Sequence, residues 1–422
     1  MTRLLVVGCG FPQLSLVRAA KQLGVSVVGA DVNPRAVAVP YCDEFSRVST
    51  HDVDALCELA ARSCVEAVTT SGSEVSLSST AAVAARLGFP FYADPETVRR
   101  CQDKDVMRAA YAEAGLAIPA YARCESLEEA RAFAMRCGYP LVVKPSRGSG
   151  QRGVARVERD AELDAAFAAA RSHSASVGLP LVVVEQWIDG REFSVNAWIA
   201  DNPRAGGGFA SYCVTERITM PGNSPLGVMI AEVYPSGLSP RDEARVVEEA
   251  RRGAAALGHT RGPCYSQVAL GPNGCFLFET AARLGGGFDA DVTRLASGVD
   301  LYRRVLGVAL NDRALERQGA LTRVHASAVA KFLVARPGKV SAIAGLEDAR
   351  TLAGVEDAQC FVPVGGRVLP LTDSAKRAAY VLVHGATRGE AMARADAALA
   401  RISFDTRDDA RSEDEHRTEV SV

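Results

Sequence analysis

Two glycine-rich segments contain the residues that could do chemistry in this chain. The first begins at Lys144, which follows the apolar run 141–143, and continues through Ser, Arg and Gly residues to Gly153. The backbone amides of such a loop can fold over phosphate oxygens, because glycine leaves them unshielded. The second places Glu279 and Arg283 after an apolar strand. A carboxylate can hold Mg²⁺ and an arginine can clamp the phosphate that the ion binds, so the two segments predict a site for ATP and magnesium.

Length and composition limit the class of protein. The chain has 422 residues, 48% of them hydrophobic, which predicts two or three domains with substantial cores. A net charge of −2 with dispersed basic residues argues against nucleic-acid binding. No apolar run reaches the roughly 20 residues that a membrane helix needs, so we expect a cytoplasmic protein without a membrane contact. The 11 cysteines show no Cys-x-x-Cys spacing, which argues against a zinc site or a disulfide framework.

The first 100 residues predict an open parallel α/β domain. Apolar runs at residues 4–7 and 25–30 flank a helical pattern, and this alternation is typical of a parallel sheet with crossover helices. The turn Gly8-Cys9-Gly10 and Asp31 are similar to a nicotinamide fingerprint, but Gln13 occupies the position of its third glycine. We therefore favour an architectural turn, or a contribution to a substrate crevice, over the dinucleotide site of a dehydrogenase.

The pattern of the whole chain predicts a multidomain protein of α/β and α+β class. One charged helix is expected over residues 96–114 and a β-hairpin over 360–371, with Thr387 capping the last helix. Residues from 405 onward are charged and nearly free of large apolar groups, which predicts a disordered tail. The expected units are an N-terminal domain at 1–100, a domain that binds ATP at 101–310 with a lid at about 115–185, a small C-terminal subdomain at 311–404 and the tail at 405–422.

Further polar residues add to the predicted site along the chain. Two lysines can supply positive charge to the α and β phosphates, while the loop over 146–153 closes on the β and γ phosphates. Exclusion of water by such a loop would protect an acyl phosphate from hydrolysis. Glu185 stands at a strand end before a hinge and can present backbone groups to adenine, and Glu192 can accept hydrogen bonds from ribose. The set in chain order is Lys104, Lys144, Glu185, Glu192, Gln267, Glu279 and Arg283.

In its order and spacing this set resembles the ATP-grasp superfamily, and the resemblance covers nearly the whole chain. Within the superfamily the chain is most similar to carboxylate–amine ligases of the L-amino acid ligase type. The resemblance implies an ATP-grasp architecture, with an N-terminal α/β domain, two α+β units that clamp ATP, and a small C-terminal subdomain. It also implies ATP and two Mg²⁺ ions as cofactors, and it allows a homodimer because relatives commonly dimerise.

The resemblance implies a role for each residue of the set. Glu279 would bridge the magnesium ions, and Arg283 would stabilise the transferred phosphoryl group and the acyl phosphate. The phosphates would be bound by Lys104 and Lys144, adenine by Glu185 and the backbone near Trp187 and Ile188, and ribose by Glu192.

Two positions depart from the family pattern. Gln267 stands where the first metal ligand is usually glutamate, and its amide oxygen can bind Mg²⁺ but brings no charge. Some relatives, including carbamoyl phosphate synthetases, also use glutamine there. The residue two after Glu279 is often asparagine and is Ala281 here, a variant found in the amino acid ligases themselves. Neither departure excludes activity.

We predict an ATP-dependent carboxylate–amine ligase that forms an amide or a dipeptide through an acyl phosphate. Glu279, Gln267 and magnesium would neutralise the phosphoryl transfer. Arg283 and the amides of Ser149 and Gly150 would bind the oxygens whose charge grows in the transition state. The competing functions are a purine-type or bicarbonate-using ligase, and an ATP-binding protein with a decayed site.

The substrate-binding residues carry the weakest signal. Arg217 precedes a loop rich in Pro and Gly and can pair with a substrate carboxylate, with a surface ion pair as the alternative. Gly285 and Gly286 leave space for the backbone to approach an acyl group, and a plain turn is their alternative. Small-molecule acids and amines, with amino acids foremost, are the expected substrates.

Overall fold

The computed structural model describes residues 2–200, 208–222, 226–317 and 324–407. Its N-terminal unit is a parallel sheet in the strand order β3-β2-β1-β4. The elements of this unit are β1 (Arg3–Val7), α1 (Phe11–Gln22), β2 (Ser26–Ala30), β3 (Glu44–Ser46), α2 (Val53–Arg62), β4 (Ala67–Thr69) and α3 (Glu74–Leu87). Leu4 and Val6 face one hydrophobic core and Leu5 and Val7 another, because helices cover both faces of the sheet.

The prediction of a single helix over residues 96–114 is wrong, because the backbone is not helical at Asp103 and two helices form instead. Asp103 has an extended backbone, and its carboxylate accepts two hydrogen bonds from the Arg147 guanidinium at 2.6 and 2.8 Å. The amide of Lys104 donates to the carbonyl of Ser146 at 2.9 Å. The break is therefore fixed by contacts with the start of the glycine-rich loop, which no local pattern reveals. The two helices are α4 (Pro95–Gln102) and α5 (Lys104–Glu113).

The segment predicted as a lid folds into an antiparallel sheet covered by two helices. Its elements are β5 (Tyr121–Cys124), α6 (Leu127–Cys137), β6 (Leu141–Pro145), β7 (Ala155–Val157), α7 (Asp160–Ser176) and β8 (Val182–Gln186). The strand order is β5-β8-β6-β7, and the sheet shares one hydrophobic core with α6 and α7. The glycine-rich loop connects β6 to β7, so a rigid core supports both of its ends.

An eight-stranded antiparallel sheet forms the centre of the molecule. Its spatial order is β13-β12-β9-β10-β11-β14-β18-β16, and a smaller sheet has the order β17-β15-β19. Three strands of the large sheet come from beyond residue 310, so this sheet crosses the predicted domain boundary. The strands are β9 (Arg191–Ala200), β10 (Gly208–Thr219), β11 (Met229–Tyr234), β12 (Gly262–Gly271), β13 (Gly274–Ala281), β14 (Ser327–Leu333), β15 (Gly338–Ala344), β16 (Val355–Cys360), β17 (Arg367–Val368), β18 (Ala379–Gly385) and β19 (Ser403–Arg407).

Six helices accompany these strands. The longest of them, α8, packs on β12 and β13 and so supports the two strands that carry Gln267 and Glu279. The helices are α8 (Pro240–Ala256), α9 (Asp289–Ser297), α10 (Leu301–Ala309), α11 (Arg313–Glu316), α12 (Leu346–Arg350) and α13 (Arg388–Leu399).

Two predictions for the C-terminal region are wrong in detail. The hairpin expected over 360–371 does not form, because β16 pairs with β18 in the large sheet and β17 pairs with β15 in the small one. The disordered tail was expected from residue 405, but β19 extends to Arg407 and pairs with β15, and Phe404 packs against the core. The rest of the predicted tail, 408–422, lies outside the described residues. Thr387 caps α13 as predicted, with its hydroxyl accepting from the Glu390 amide at 3.1 Å.

The predicted fold class is confirmed: a parallel α/β unit is followed by antiparallel α+β units. None of the helices in the described ranges combines the length and the apolarity that a membrane span requires.

Candidate functional site

A cavity of about 640 Å³ is lined by the lid, the central sheet, the start of α5 and both terminal regions. It brings together residues as distant in sequence as Phe11 and Arg377. Every residue that the sequence predicted for the site lines this cavity, except Gly285. The predicted residues at its wall are Lys104, Lys144, Ser149, Gly150, Glu185, Trp187, Ile188, Glu192, Arg217, Gln267, Glu279, Arg283 and Gly286.

A buried group of charges holds Lys144 in place. Lys144 Nζ lies 2.6 Å from Glu185 Oε2, and Arg108 binds the same carboxylate through Nε at 2.7 Å and Nη2 at 3.2 Å. Burial lowers the pKa of Lys144 to about 8, although Glu185 opposes this shift. Burial alone would raise the pKa of Glu185, but Arg108 and Lys144 outweigh it and hold that pKa at about 2. The Glu185 carboxylate is thus ionised and engaged, so a contact with adenine would fall to its backbone.

Two hydrogen bonds hold the glycine-rich loop over the cavity. Lys104 Nζ donates to the Gly148 carbonyl at 2.8 Å, and the amide of Ser374 donates to the Gly150 carbonyl at 3.0 Å. Gly150 has φ = +70°, a left-handed conformation that favours glycine. The loop that carries the predicted phosphate-binding amides therefore spans from the lid to the C-terminal region, with the charge of Lys104 beside it.

Apolar side chains and the hinge both contribute to the wall of the cavity. Trp187 and Ile188 of the hinge line it, as do Val142 and Phe278. The indole ring of Trp187 packs against the Arg156 guanidinium, whose carbon lies 4.1 Å from the ring centroid. The backbone N–H of Trp187 donates to a lid carbonyl at 3.2 Å. The prediction that the backbone here holds adenine therefore rests on the Trp187 carbonyl and on Ile188.

Gln267 and Glu279 face each other on paired strands. They are directly opposite in the register of β12 and β13, so their side chains lie on the same face of the sheet, and both line the cavity. Burial opposes ionisation of Glu279, but nearby cations, led by Lys104 and Arg283, lower its pKa. Within the described residues no group of three His, Cys, Asp or Glu side chains could hold a metal ion. The pair suits Mg²⁺, which takes one or two protein ligands and completes its shell with phosphates and water.

Arg283 is fixed by an acidic residue of the N-terminal unit that the sequence analysis missed. Its guanidinium donates to Glu74 Oε1 at 2.5 Å, and Glu279 Oε1 lies 3.8 Å away. Burial would lower the pKa of Arg283, but Glu74 and Glu279 raise it. Glu74 lies in the first turn of α3, where an acidic residue is common because it complements the helix dipole. The sequence around Glu74 therefore gives no sign of its role.

Arg217 is buried, and the surface ion pair that the sequence left open does not apply to it. Its Nη1 donates to the Tyr265 hydroxyl at 2.6 Å and lies 3.5 Å from the Glu232 carboxylate. Its Nε lies 3.3 Å from Glu192, the predicted ribose-binding residue. Burial would lower the pKa of Arg217, but Tyr265 and Glu232 raise it. Arg217 therefore links the predicted nucleotide region to the rest of the cavity.

The glycines after Arg283 are required by close packing. A Cβ atom at Gly285 would lie 2.2 Å from Asp289 Oδ2, and one at Gly286 would lie 2.7 Å from the carbonyl of Gly72. Gly286 lines the cavity, whereas Gly285 packs against Asp289. At this segment the N-terminal unit closes the cavity. The two glycines are therefore needed for packing between units and do not form a plain turn alone.

The turn after β1 is built as the architectural alternative predicted. The amide of Cys9 donates to Asp31 Oδ2 at 2.8 Å, and the buried side chain of Gln13 donates to the Ser71 carbonyl at 2.7 Å. The next residue of the turn, Phe11, lines the cavity. The turn thus contributes to the crevice through Phe11. The Asp31 carboxylate holds the backbone of the turn at the Cys9 amide.

Comparison with known proteins assigns this chain to a family. Residues 103–316 match the model of the carbamoyl-phosphate synthase L chain ATP-binding domain, and residues 331–407 match L-amino acid ligase C-terminal domain 2. The chain belongs to the family of that ATP-binding domain, within the ATP-grasp superfamily that the sequence predicted. It is an ATP-grasp enzyme of the ligase class, and its C-terminal unit is of the L-amino acid ligase type.

The chain is also similar to individual proteins, and the solved structures among them share its fold. An uncharacterized protein of Sinorhizobium fredii, y4rH, is 29% identical over 357 residues, which cover 82% of this chain and 70% of that protein. The crystal structure of an L-amino acid ligase from Bacillus licheniformis has a TM-score of 0.78 at 21% identity, covering 97% of this chain and 99% of that one. The biotin carboxylase domain of the Hydrogenobacter thermophilus 2-oxoglutarate carboxylase, a dimer with MgADP, ADP and bicarbonate, has a TM-score of 0.77 at 17% identity, covering 96% and 91%. For three other curated relatives, the match to this chain covers less than two thirds of the relative's length.

Proposed function

We propose that the protein is an ATP-dependent carboxylate–amine ligase that joins amino acids through an acyl phosphate. The observation that carries the proposal is the cross-strand pair of Gln267 and ionised Glu279, which lies beside Arg283 in the cavity under the glycine-rich loop. The match of the C-terminal unit to L-amino acid ligases supports amino acids as the substrates. A decayed site would have no need to keep Glu279 ionised and Arg283 anchored.

The first step would activate the carboxylate. A carboxylate oxygen attacks the γ-phosphorus of ATP, the bond to the bridging oxygen breaks, and ADP leaves as the acyl phosphate forms. Lys104 and Lys144 would balance the charge of the phosphates, and Arg283, held by Glu74, would bind oxygens of the transferred group. Bound Mg²⁺ would neutralise phosphate charge at Glu279 and its partner amide, and we propose two ions by the resemblance to the family.

The second step would form the amide bond. The amine nitrogen attacks the acyl carbon, the bond from that carbon to the phosphate oxygen breaks, and inorganic phosphate leaves while the amine loses a proton. The loop held at Gly148 and Gly150 would exclude water, which would otherwise hydrolyse the acyl phosphate. The product mass is therefore the sum of two substrates minus one water.

The direct test measures ADP and phosphate release from ATP and Mg²⁺ with pooled L-amino acids, followed by mass spectrometry of the products. We expect release that depends on amino acids, and dipeptide masses. Glu279→Gln should reduce turnover by about 10²- to 10³-fold, because it removes the metal ligand's charge. Glu248→Gln, which changes a half-exposed carboxylate on α8, should retain wild-type turnover.

Other outcomes of the same assay would contradict the proposal. Release that depends on bicarbonate or on an aminoribonucleotide would support the purine-type or bicarbonate-using alternative. Tight ATP binding without turnover for any acid and amine would support a decayed site.

A further inference from the structure

Arg377 differs from the other buried cations of the cavity. It follows the short 3-10 turn Ser374–Lys376, lines the cavity and is only 3% exposed. Arg217 and Arg283 each bind protein carboxylates. Arg377, in contrast, forms no ion pair with the part of the chain that the structure describes. Its Nε and Nη1 atoms are buried without a hydrogen-bond partner there.

Aromatic rings, rather than an acidic residue, hold the Arg377 guanidinium in place. Its central carbon lies 3.9 Å from the ring centroid of Phe332 and 5.9 Å from that of Phe11. Phe332 lies on β14 and Phe11 at the start of α1, so the central sheet and the N-terminal unit together fix the side chain. The arrangement keeps a planar cation whose Nε and Nη1 donors have no acceptor among the described residues.

The charge of Arg377 is unfavourable in this position. Burial and then the positive charge of Arg217 lower the pKa of Arg377 to about 9, and the opposing effects of Asp289 and Glu232 do not outweigh them. Burying a cation is costly unless it is paired and hydrogen-bonded, and contacts with aromatic rings do not supply the missing hydrogen-bond acceptors. A planar anion that offers two oxygens, such as a carboxylate, matches the two unsatisfied donors of the guanidinium.

We propose that Arg377 binds a second substrate carboxylate, one that is not phosphorylated. The inference rests on the proposed ligase function. The carboxylate to be phosphorylated must lie at Glu279 and Arg283, where the metal-bound phosphate would be held. When two amino acids are joined, the α-carboxylate of the acceptor remains, and an acidic donor carries another on its side chain. Both present the same chemistry to Arg377, and the experiment below distinguishes them.

The test is a competition between amino acids and their α-carboxamides. The α-carboxamide of a neutral amino acid lacks the carboxylate needed for phosphorylation, so it can act only as the acceptor. An equimolar pool of L-amino acids and the α-carboxamides of the neutral ones is incubated with ATP and Mg²⁺, and mass spectrometry gives the ratio of dipeptide acids to dipeptide amides. The variants are Arg377→Gln, Arg377→Lys and, as the control, Arg313→Gln, which changes an exposed arginine of α11.

We expect Arg377→Gln to shift the product ratio at least about tenfold toward amides, because a charge-assisted pair to the acceptor carboxylate is lost. Arg377→Lys should recover part of the preference, and Arg313→Gln should match the wild type. If the donor side chain supplies the carboxylate, the acid-to-amide ratio stays constant and products of aspartate and glutamate donors fall about tenfold relative to neutral donors. A purely structural role of Arg377 would lower all products equally. Both the acid-to-amide ratio and the ratio of acidic-donor to neutral-donor products would then stay unchanged, and this result would overturn the proposal.

A binding measurement separates this inference from the ligase function. A wild-type protein that forms no product contradicts the ligase function but leaves Arg377 open to test. With MgADP present, the amino acid pool should raise the melting temperature of the wild type and of Arg313→Gln more than that of Arg377→Gln, which keeps only the contacts at Glu279 and Arg283. An equal rise in Arg377→Gln, or no rise in the wild type, would overturn the role of Arg377.

Discussion

The nucleotide half and the substrate half of the cavity are built in different ways. The nucleotide half comes from short continuous segments: Lys144 opens one loop, and Gln267 and Glu279 share one hairpin. The substrate half is assembled from distant elements, with Phe11 from the N-terminal unit and Arg377 from the C-terminal region. Under the proposed function, ATP chemistry is specified by local segments, whereas substrate choice depends on how the units pack.

The two halves also differ in how their cations are balanced. In the nucleotide half, Lys144 is paired with Glu185, and Arg283 is paired with Glu74. These pairs hold the cations in position before a ligand binds. In the proposed substrate half, Arg217 is paired with Glu232, but Arg377 has no such partner among the described residues. The difference suggests that the nucleotide half is organised in advance and that the substrate half completes the charge balance of Arg377 with a ligand.

The largest effect is expected when a cation of the nucleotide half, Lys144, is removed. Lys144→Met should weaken ATP binding by about 100-fold, because the phosphates lose a charge partner and Glu185 keeps only Arg108. Lys339→Met, at an exposed position on β15, should bind ATP as the wild type does. The dissociation constant for ATP is measured by calorimetry. An unaltered constant in Lys144→Met would move the phosphate site elsewhere.

The second largest effect is expected when the ion pair between Arg283 and Glu74 is broken. Glu74→Gln should lower kcat by about 10- to 100-fold and leave the KM for ATP unchanged, because Glu74 positions Arg283 without lining the cavity itself. Glu96→Gln is the matched control, since Glu96 is also in the first turn of a helix but is exposed. A parallel rise in KM, or a loss in the control, would argue against a positioning role.

The lowered pKa of Lys144 predicts a smaller, pH-dependent effect. Its pKa is about 8 instead of 10.5, so its charge is lost as pH rises through 8, and ATP affinity should fall about tenfold from pH 7 to pH 9. Lys144→Arg keeps its charge throughout this range and should show no such fall. Since the unfolded chain binds more protons between about pH 8 and 10.5, this residue should make the folded state more stable as pH rises there. Equal pH profiles for the two proteins would contradict the assignment.

The smallest effect concerns the contact between the loop and the C-terminal region. Ser374→Pro removes the N–H that donates to the Gly150 carbonyl, and it should raise the KM for ATP about two- to tenfold. Ser374→Ala keeps this N–H and should leave the KM at its wild-type value. Equal KM values for the two variants would show that the hydrogen bond does not hold the loop during turnover.

The same contrast explains what the sequence could predict. The loop after Lys144 and the strand pair of Gln267 and Glu279 lie within single supersecondary units, so the sequence indicated the loop and Glu279 directly, and the resemblance to the ATP-grasp superfamily implied the role of Gln267. The roles proposed for Glu74 and Arg377 depend on contacts with residues far away in the chain, and each stands in an ordinary local pattern. The break at Asp103 was missed for the same reason, because Arg147 of the lid fixes it.

Oxygen transfer tests the central claim most directly. Pooled amino acids labelled with ¹⁸O in their carboxylates are incubated with the enzyme, ATP and Mg²⁺, and the released phosphate is analysed by mass spectrometry. An acyl phosphate formed at Glu279 and Arg283 requires one carboxylate oxygen to leave with each phosphate, so we predict one ¹⁸O per phosphate and an equal amount of peptide. Unlabelled phosphate released with peptide would contradict the acyl phosphate and the account built on it.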